Sequence, residues 1–162
     1  MNRAKFALAL VGVAAILLAV LGLLYNAMTV TLLLGDHGDE ETPYFRQAFF
    51  VMSAVCVACY VVIAFCGIQF VRQRPGGVWL FGGILILEML YFMFISVGSV
   101  VFMFWRQDMA AGIAGAMGVA NGGLSPQLLT LFPLWAPLVA GWAARRIRQE
   151  AQGPEFNSAG SV

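Results

Sequence analysis

The stretch FALALVGVAAILLAVLGLLYNAMTVTLLL, residues 6–34, contains no Asp, Glu, Lys, Arg or His. A helix rises about 1.5 Å per residue, so roughly 20 apolar residues cross a hydrocarbon core about 30 Å thick. This run is longer than that. Arg3 and Lys5 precede it, as basic residues precede a signal peptide. A signal h-region has only about 7–15 residues and ends at a small-residue cleavage site, which this run lacks. The stretch is therefore predicted to be an uncleaved membrane span.

Three more apolar runs follow, at 45–71, 78–105 and 127–144. Together they account for a chain that is 61% hydrophobic and 10% charged, with mean hydropathy +0.86. A soluble domain has about 25% charged residues, and a chain of this size could not hide so much apolar surface in one core. The fold class predicted is an all-α integral membrane protein with a four-transmembrane-helix bundle in residues 1–148. Between the second and third runs, Arg72-Gln-Arg-Pro-Gly-Gly77 reads as a tight turn in which proline and glycine end the helix and the arginines cap it. The fourth run is the shortest, and Pro133 and Pro137 lie inside it.

The charges orient the spans. Arg3, Lys5, Arg72, Arg74, Arg145, Arg146 and Arg148 fall on one side of a four-span arrangement. Arg46 and Arg106 fall on the other, with Asp36, Asp39, Glu40, Glu41 and Asp108. Cytoplasmic loops carry the excess of Lys and Arg, so both termini are predicted to be cytoplasmic. An odd number of spans would scatter the arginines over both faces. Tyr44, Phe45, Trp79, Trp105 and Trp142 stand near span ends, where amphipathic rings prefer the headgroup region. The partner implied is a lipid bilayer, and no basic tract of the kind that binds nucleic acid is present. The three cysteines lie inside one apolar run and no Asn-x-Ser/Thr sequon occurs, which fits a multi-pass protein of a bacterial inner membrane.

Two segments depart from this pattern. Residues 109–124, MAAGIAGAMGVANGGL, are too short to cross and too apolar for an ordinary loop, so a short interfacial or re-entrant helix before the fourth span is expected. Residues 149–162 are polar and rich in small residues, and are expected to form a disordered cytoplasmic tail.

Glu88 is the one ionisable acid or base deep in any run. At 1.5 Å per residue from Val78 it lies roughly 15 Å in, near mid-membrane. With no Lys, Arg or His at that depth, its carboxyl is expected to keep its proton. Helical spacing puts Phe81, Ile84, Tyr91, Ile95 and Ser99 on the same face. Two roles suit this stripe. Glu88, Tyr91 and Ser99 could form a ligand-facing or proton path, joined by the Thr130 neighbourhood, where the prolines free backbone carbonyls. Alternatively, a protonated Glu88 could hydrogen-bond a neighbouring helix and fix packing. Any such site is expected between Glu88 and the fourth span.

Other features carry less. Cys56-Val-Ala-Cys59 has the spacing of a redox pair, and Cys66 follows on the same face. Redox pairs depend on a helix N-terminus and an exposed exchange partner, whereas these thiols sit mid-span, so they are read as small packing residues. Asp36-His-Gly-Asp-Glu-Glu41 has metal-ligand residue types but matches no metal template, and reads as a solvated outer loop. Tyr25 and Asn26, near the outer end of the first span, read as interfacial packing or a pocket mouth. Gly118-x-x-x-Gly122 would be a helix contact only in a membrane-embedded helix. No nucleotide loop, zinc motif, haem ligand pattern or nucleophile–base pair is present, so no metal and no cofactor is expected. The function expected is that of a small non-enzymatic accessory or scaffold subunit, alone, as a homo-oligomer or in a larger membrane complex. The alternative is an oligomeric carrier or channel-like protein that handles a proton, cation or small solute through Glu88.

Overall fold

Long runs that are apolar on every side, bounded by turn residues and charges, give the helices of the described residues. The computed structural model describes residues 2–35, 43–106 and 130–152. They form α1 (Arg3–Gly35), α2 (Pro43–Val71), α3 (Val78–Arg106) and α4 (Phe132–Gln152), with one 3₁₀ turn at Pro75–Gly77. No strand occurs among the described residues. Two of the helices are long and apolar enough to cross a membrane, over Arg3–Met28 and Ser53–Val71, with mean hydropathy 2.9 and 2.4. Segment 109–124, the loop Asp36–Glu41 and residues 153–162 lie outside the described residues.

α1 buries a stripe of mostly small residues, Ala4, Leu8, Val11, Gly12, Ala15, Ala19 and Gly22, that ends at Asn26. Small side chains let two helix backbones approach closely. A Cβ added at Gly12 would stand 2.7 Å from the Gly67 carbonyl oxygen, and one at Gly67 would stand 2.8 Å from the Gly12 oxygen. Ten residues further along α1, the ring of Tyr60 occupies the space a Gly22 side chain would need. Gly12 meets Gly67 and Gly22 meets Tyr60, so α1 and α2 run antiparallel.

The α2–α3 turn follows from hydrogen bonding more than from its proline. The Arg74 N–H donates to the Gln69 carbonyl at 2.9 Å, and the Gln73 N–H donates to the Phe70 carbonyl at 2.9 Å. Gln73 sits between them at φ 59. This pair of bonds around a left-handed residue is the Schellman ending, which already satisfies carbonyls of the last turn of α2. Pro75-Gly-Gly77 then forms the 3₁₀ turn that opens α3, so these residues begin a helix where the sequence suggested that they end one. Arg74, at its N-cap, makes no side-chain capping bond. The Cys66 thiol donates to the Gly77 carbonyl at 3.8 Å and ties the turn to α2. A side chain in the left-handed region costs on the order of 1 kcal/mol that glycine avoids. Gln73→Gly is accordingly expected to raise the thermal midpoint of the purified protein, by the equivalent of up to about 1 kcal/mol. A lowered midpoint would show that the Gln73 side chain contributes more than its backbone conformation costs.

α1 packs on α2 and α4, and α3 packs on the same two helices. Phe132, the first residue of α4, meets Phe81 near the start of α3, edge to face at 5.9 Å. Phe81 meets Phe70 at 5.1 Å in the same manner. Near the other end of α4, the Asn2 side chain donates to both carboxylate oxygens of Glu150 at 2.5 Å. Asn2 also caps α1, its Oδ1 accepting the Ala4 N–H at 3.2 Å. A carboxylate beside a helix N-terminus is favoured by the exposed N–H groups there.

α4 differs from the predicted fourth span in two ways. Pro133 falls in the first helical turn, where its missing N–H leaves no bond unmade, so Pro137 alone interrupts the interior. The helix also continues through Gln149–Gln152, residues expected in the tail. Gln, Glu and Ala are good helix formers, and Asn2 holds Glu150 in place. Along α4, Phe132, Ala136, Ala140, Ala143 and Ala144 are buried.

Candidate functional site

The buried face of α2 repeats every three or four residues: Ser53, Cys56, Cys59 and Tyr60, Ile63, Cys66, Phe70. That of α3 does the same with Phe81, Leu85 and Glu88. Where the two faces meet, one helix contributes thiols and the other a carboxyl. A cavity of about 100 Å³ opens there, lined by Val55, Cys56 and Cys59 of α2 and by Leu87, Glu88 and Tyr91 of α3.

Glu88 is 5% exposed, and neither of its carboxyl oxygens has a hydrogen-bond partner among the described residues. The Tyr91 hydroxyl, three residues further along α3, is also buried without a partner among them. Tyr60, fully buried against Gly22, is in the same condition, and its hydroxyl lies within electrostatic reach of Glu88. More than nine in ten buried polar groups in folded proteins are hydrogen-bonded, and an unpaired one costs about 1–3 kcal/mol. Glu88 and Tyr91 help to line the cavity, but their oxygens are buried and its surface is apolar.

Glu88 and Tyr91 are brought together, as their spacing on one helix requires. Ser99 lies in the α3 backbone, and its side chain is outside the described residues. Thr130 is exposed just before α4, and its carbonyl accepts the Trp135 indole N–H at 3.1 Å. It does not line the cavity. The second wall comes from α2, where the sequence suggested the fourth span. Cys56, Cys59 and Cys66 are free, buried thiols. Cys56 and Cys59 share the cavity wall with Glu88, yet among the described residues no three His, Cys, Asp or Glu side chains come together as metal ligands. Asn26 is buried and does not line the cavity.

The residue that sequence reasoning missed is Tyr60. It stands one helical turn after Cys56 in an otherwise apolar helix, and a buried tyrosine ordinarily needs a partner for its hydroxyl. That rule could have flagged it. No protein-family model, no curated protein and no solved structure matches the chain.

Proposed function

We propose that this chain is a small, non-enzymatic membrane protein that crosses the bilayer four times with both ends cytoplasmic, and that it binds a proton, cation or small hydrogen-bonding solute at Glu88 as the binding step of a carrier. The observation that carries this reading is the Glu88 carboxyl, buried and unpartnered among the described residues, on a side chain that helps to line a small apolar cavity. Intramembrane acids are expensive to insert and are characteristic of ion and substrate pathways.

The setting supports a membrane location. Leu10, Leu17 and Leu24 of α1 are 58%, 59% and 63% exposed, and Val51 of α2 and Leu90 of α3 are 65% and 60% exposed. In water so much continuous apolar surface would drive aggregation, whereas in a bilayer it meets acyl chains. The arginine distribution and the Asn2–Glu150 contact favour ends on one side. The apolar part of α4, Phe132 to Ala144, is only about 20 Å long at the helical rise, so a fourth crossing would draw on residues 127–131 as well. A bacterial inner membrane is the location this reading assigns. The cavity lies within one chain, so binding needs no second copy.

The test is a membrane-soluble carbodiimide. A protonated carboxyl adds across one C=N bond of the reagent, and the O-acylisourea rearranges to a stable N-acylurea that retains the whole reagent. Full-length protein in phospholipid vesicles, treated with N,N′-diisopropylcarbodiimide, is expected to carry one adduct on the peptide containing Glu88. Glu88→Gln is expected to carry none. An unlabelled Glu88 in folded protein would favour the packing role of an accessory or scaffold subunit.

A further inference from the structure

α4 has two faces. Phe132, Ala136, Ala140, Ala143 and Ala144 are buried against the bundle. Opposite them, Leu134, Leu138 and Trp142 are 52%, 74% and 48% exposed, and Arg145 and Arg146 beyond them are exposed as well. Spacings of four, four and then three or four residues keep all five on one side of the helix. Along that side the surface passes from aliphatic to aromatic to basic.

That order matches one leaflet of a bilayer. From Leu134 to Trp142 the helix rises about 12 Å, and the arginines follow about 5 Å further on. Half of a hydrocarbon core is about 15 Å thick, and indole rings prefer the headgroup level just beyond it. Phosphates lie at that level, where the two arginines fall.

Little at this end opposes the positive charge. The Asn2–Glu150 contact brings Arg3 to the same end, and Arg148 is exposed there too. Glu150 is the one acid there among the described residues, and none of these four arginines forms an ion pair among them. A guanidinium group can hold phosphate oxygens through two parallel N–H···O bonds. Cytoplasmic placement asks only that basic residues lie on this side. It does not ask that two of them continue an exposed leucine–tryptophan line.

Resting on the membrane location proposed above, and not on Glu88, we infer that the outer face of α4 binds an anionic phospholipid of the cytoplasmic leaflet. The lipid phosphate sits at Arg145 and Arg146, the glycerol region beside Trp142 and an acyl chain along Leu138 and Leu134. The competing cases are diffuse attraction of anionic lipid to the whole basic end, and capture of a free phosphate anion.

Native mass spectrometry of the full chain, released from detergent micelles, separates these cases. The probes are dioleoylphosphatidylglycerol, dioleoylphosphatidylcholine and inorganic phosphate. One basic residue near the headgroup plane is worth about fivefold in affinity for anionic lipid. The double variant Arg145→Gln, Arg146→Gln is therefore expected to bind phosphatidylglycerol about 25-fold more weakly. The double variant Arg72→Gln, Arg74→Gln removes the same charge from the α2–α3 turn and is expected to leave that affinity within about twofold of wild type. Wild type is expected to prefer phosphatidylglycerol to phosphatidylcholine, and millimolar inorganic phosphate is expected not to displace the lipid. Equal weakening by the two double variants would overturn a site on α4. Displacement by inorganic phosphate would overturn recognition of a lipid. A wild-type chain without preference for phosphatidylglycerol would overturn the inference with no variant needed. If alkaline carbonate also strips the chain from vesicles, the membrane reading falls with it; a chain that stays embedded leaves that reading standing.

Discussion

Gly12→Ala is expected to destabilise the protein by about 1–2 kcal/mol, and Gly12→Leu to prevent recovery of folded, monodisperse protein. The atoms that a new Cβ would meet are the Gly67 carbonyl oxygen at 2.7 Å, the Phe70 Cβ at 2.9 Å and the Val71 backbone nitrogen at 2.9 Å. None is the far end of a flexible side chain. Ordinary contact begins at 3.4 Å, so α1 and α2 must separate locally by about 0.7 Å. A radial gap of about 0.5–1 Å forfeits a quarter to a half of the dispersion energy at each contact. Overpacking of this kind costs about 1–3 kcal/mol, and alanine's better helix propensity returns at most about 1 kcal/mol. Leucine adds three more heavy atoms against the same backbone. Gly83 and Gly141 supply the control, since a Cβ at either meets nothing within 4 Å. Their alanine variants are expected to be neutral or slightly stabilised. Thermal midpoints in one detergent check the series, and a Gly12→Ala midpoint matching that of Gly83→Ala would show that the helices do not approach so closely.

That contact also shows what could be read from the sequence and what could not. Hydropathy and charge mark α1, α2 and α3, because a long apolar run bounded by turn residues and arginines has few alternatives to a helix. The pairing of helices is not written in any one of them. The α1 stripe from Ala4 to Gly22 is visible as small residues at heptad-like spacing, but its partner is set by where Gly67 and Tyr60 fall on α2. Glu88 was legible because a lone acid in an apolar run has no unremarkable explanation. Its surroundings are less legible, because the wall opposite α3 comes from α2 and not from the Thr130 neighbourhood. In the structure the two cysteines line the cavity with Glu88, and Thr130's carbonyl accepts a bond from Trp135. Both differences are tertiary: they depend on which neighbour each face meets. Pro133 departs from the expectation for a local reason: a proline acts as a breaker only after the first turn, and the helix begins at Phe132.

Glu88→Leu is expected to stabilise the protein by about 1–3 kcal/mol while abolishing carbodiimide labelling. The two candidate roles of Glu88 differ here in sign. If a protonated Glu88 held two helices together, its removal would forfeit an interhelical hydrogen bond worth about 0.6–2 kcal/mol, and the midpoint would fall. Neither carboxyl oxygen has a partner among the described residues, so the wild-type protein carries the desolvation cost of the group without that return. Replacing an unpaired buried polar group by an apolar one of similar size removes the cost, and the slightly smaller leucine offsets only part of the gain. Glu88→Gln keeps the shape and the polarity, so its midpoint is expected to stay close to wild type while labelling is lost. Tyr60→Phe and Tyr91→Phe remove hydroxyls in the same condition and are expected not to lower the midpoint. A midpoint that rises when Glu88 is replaced would support the binding reading, in which the carboxyl is kept at the expense of the fold. A fall in midpoint for Glu88→Leu, together with a fall for Tyr60→Phe, would instead assign this cluster to helix packing.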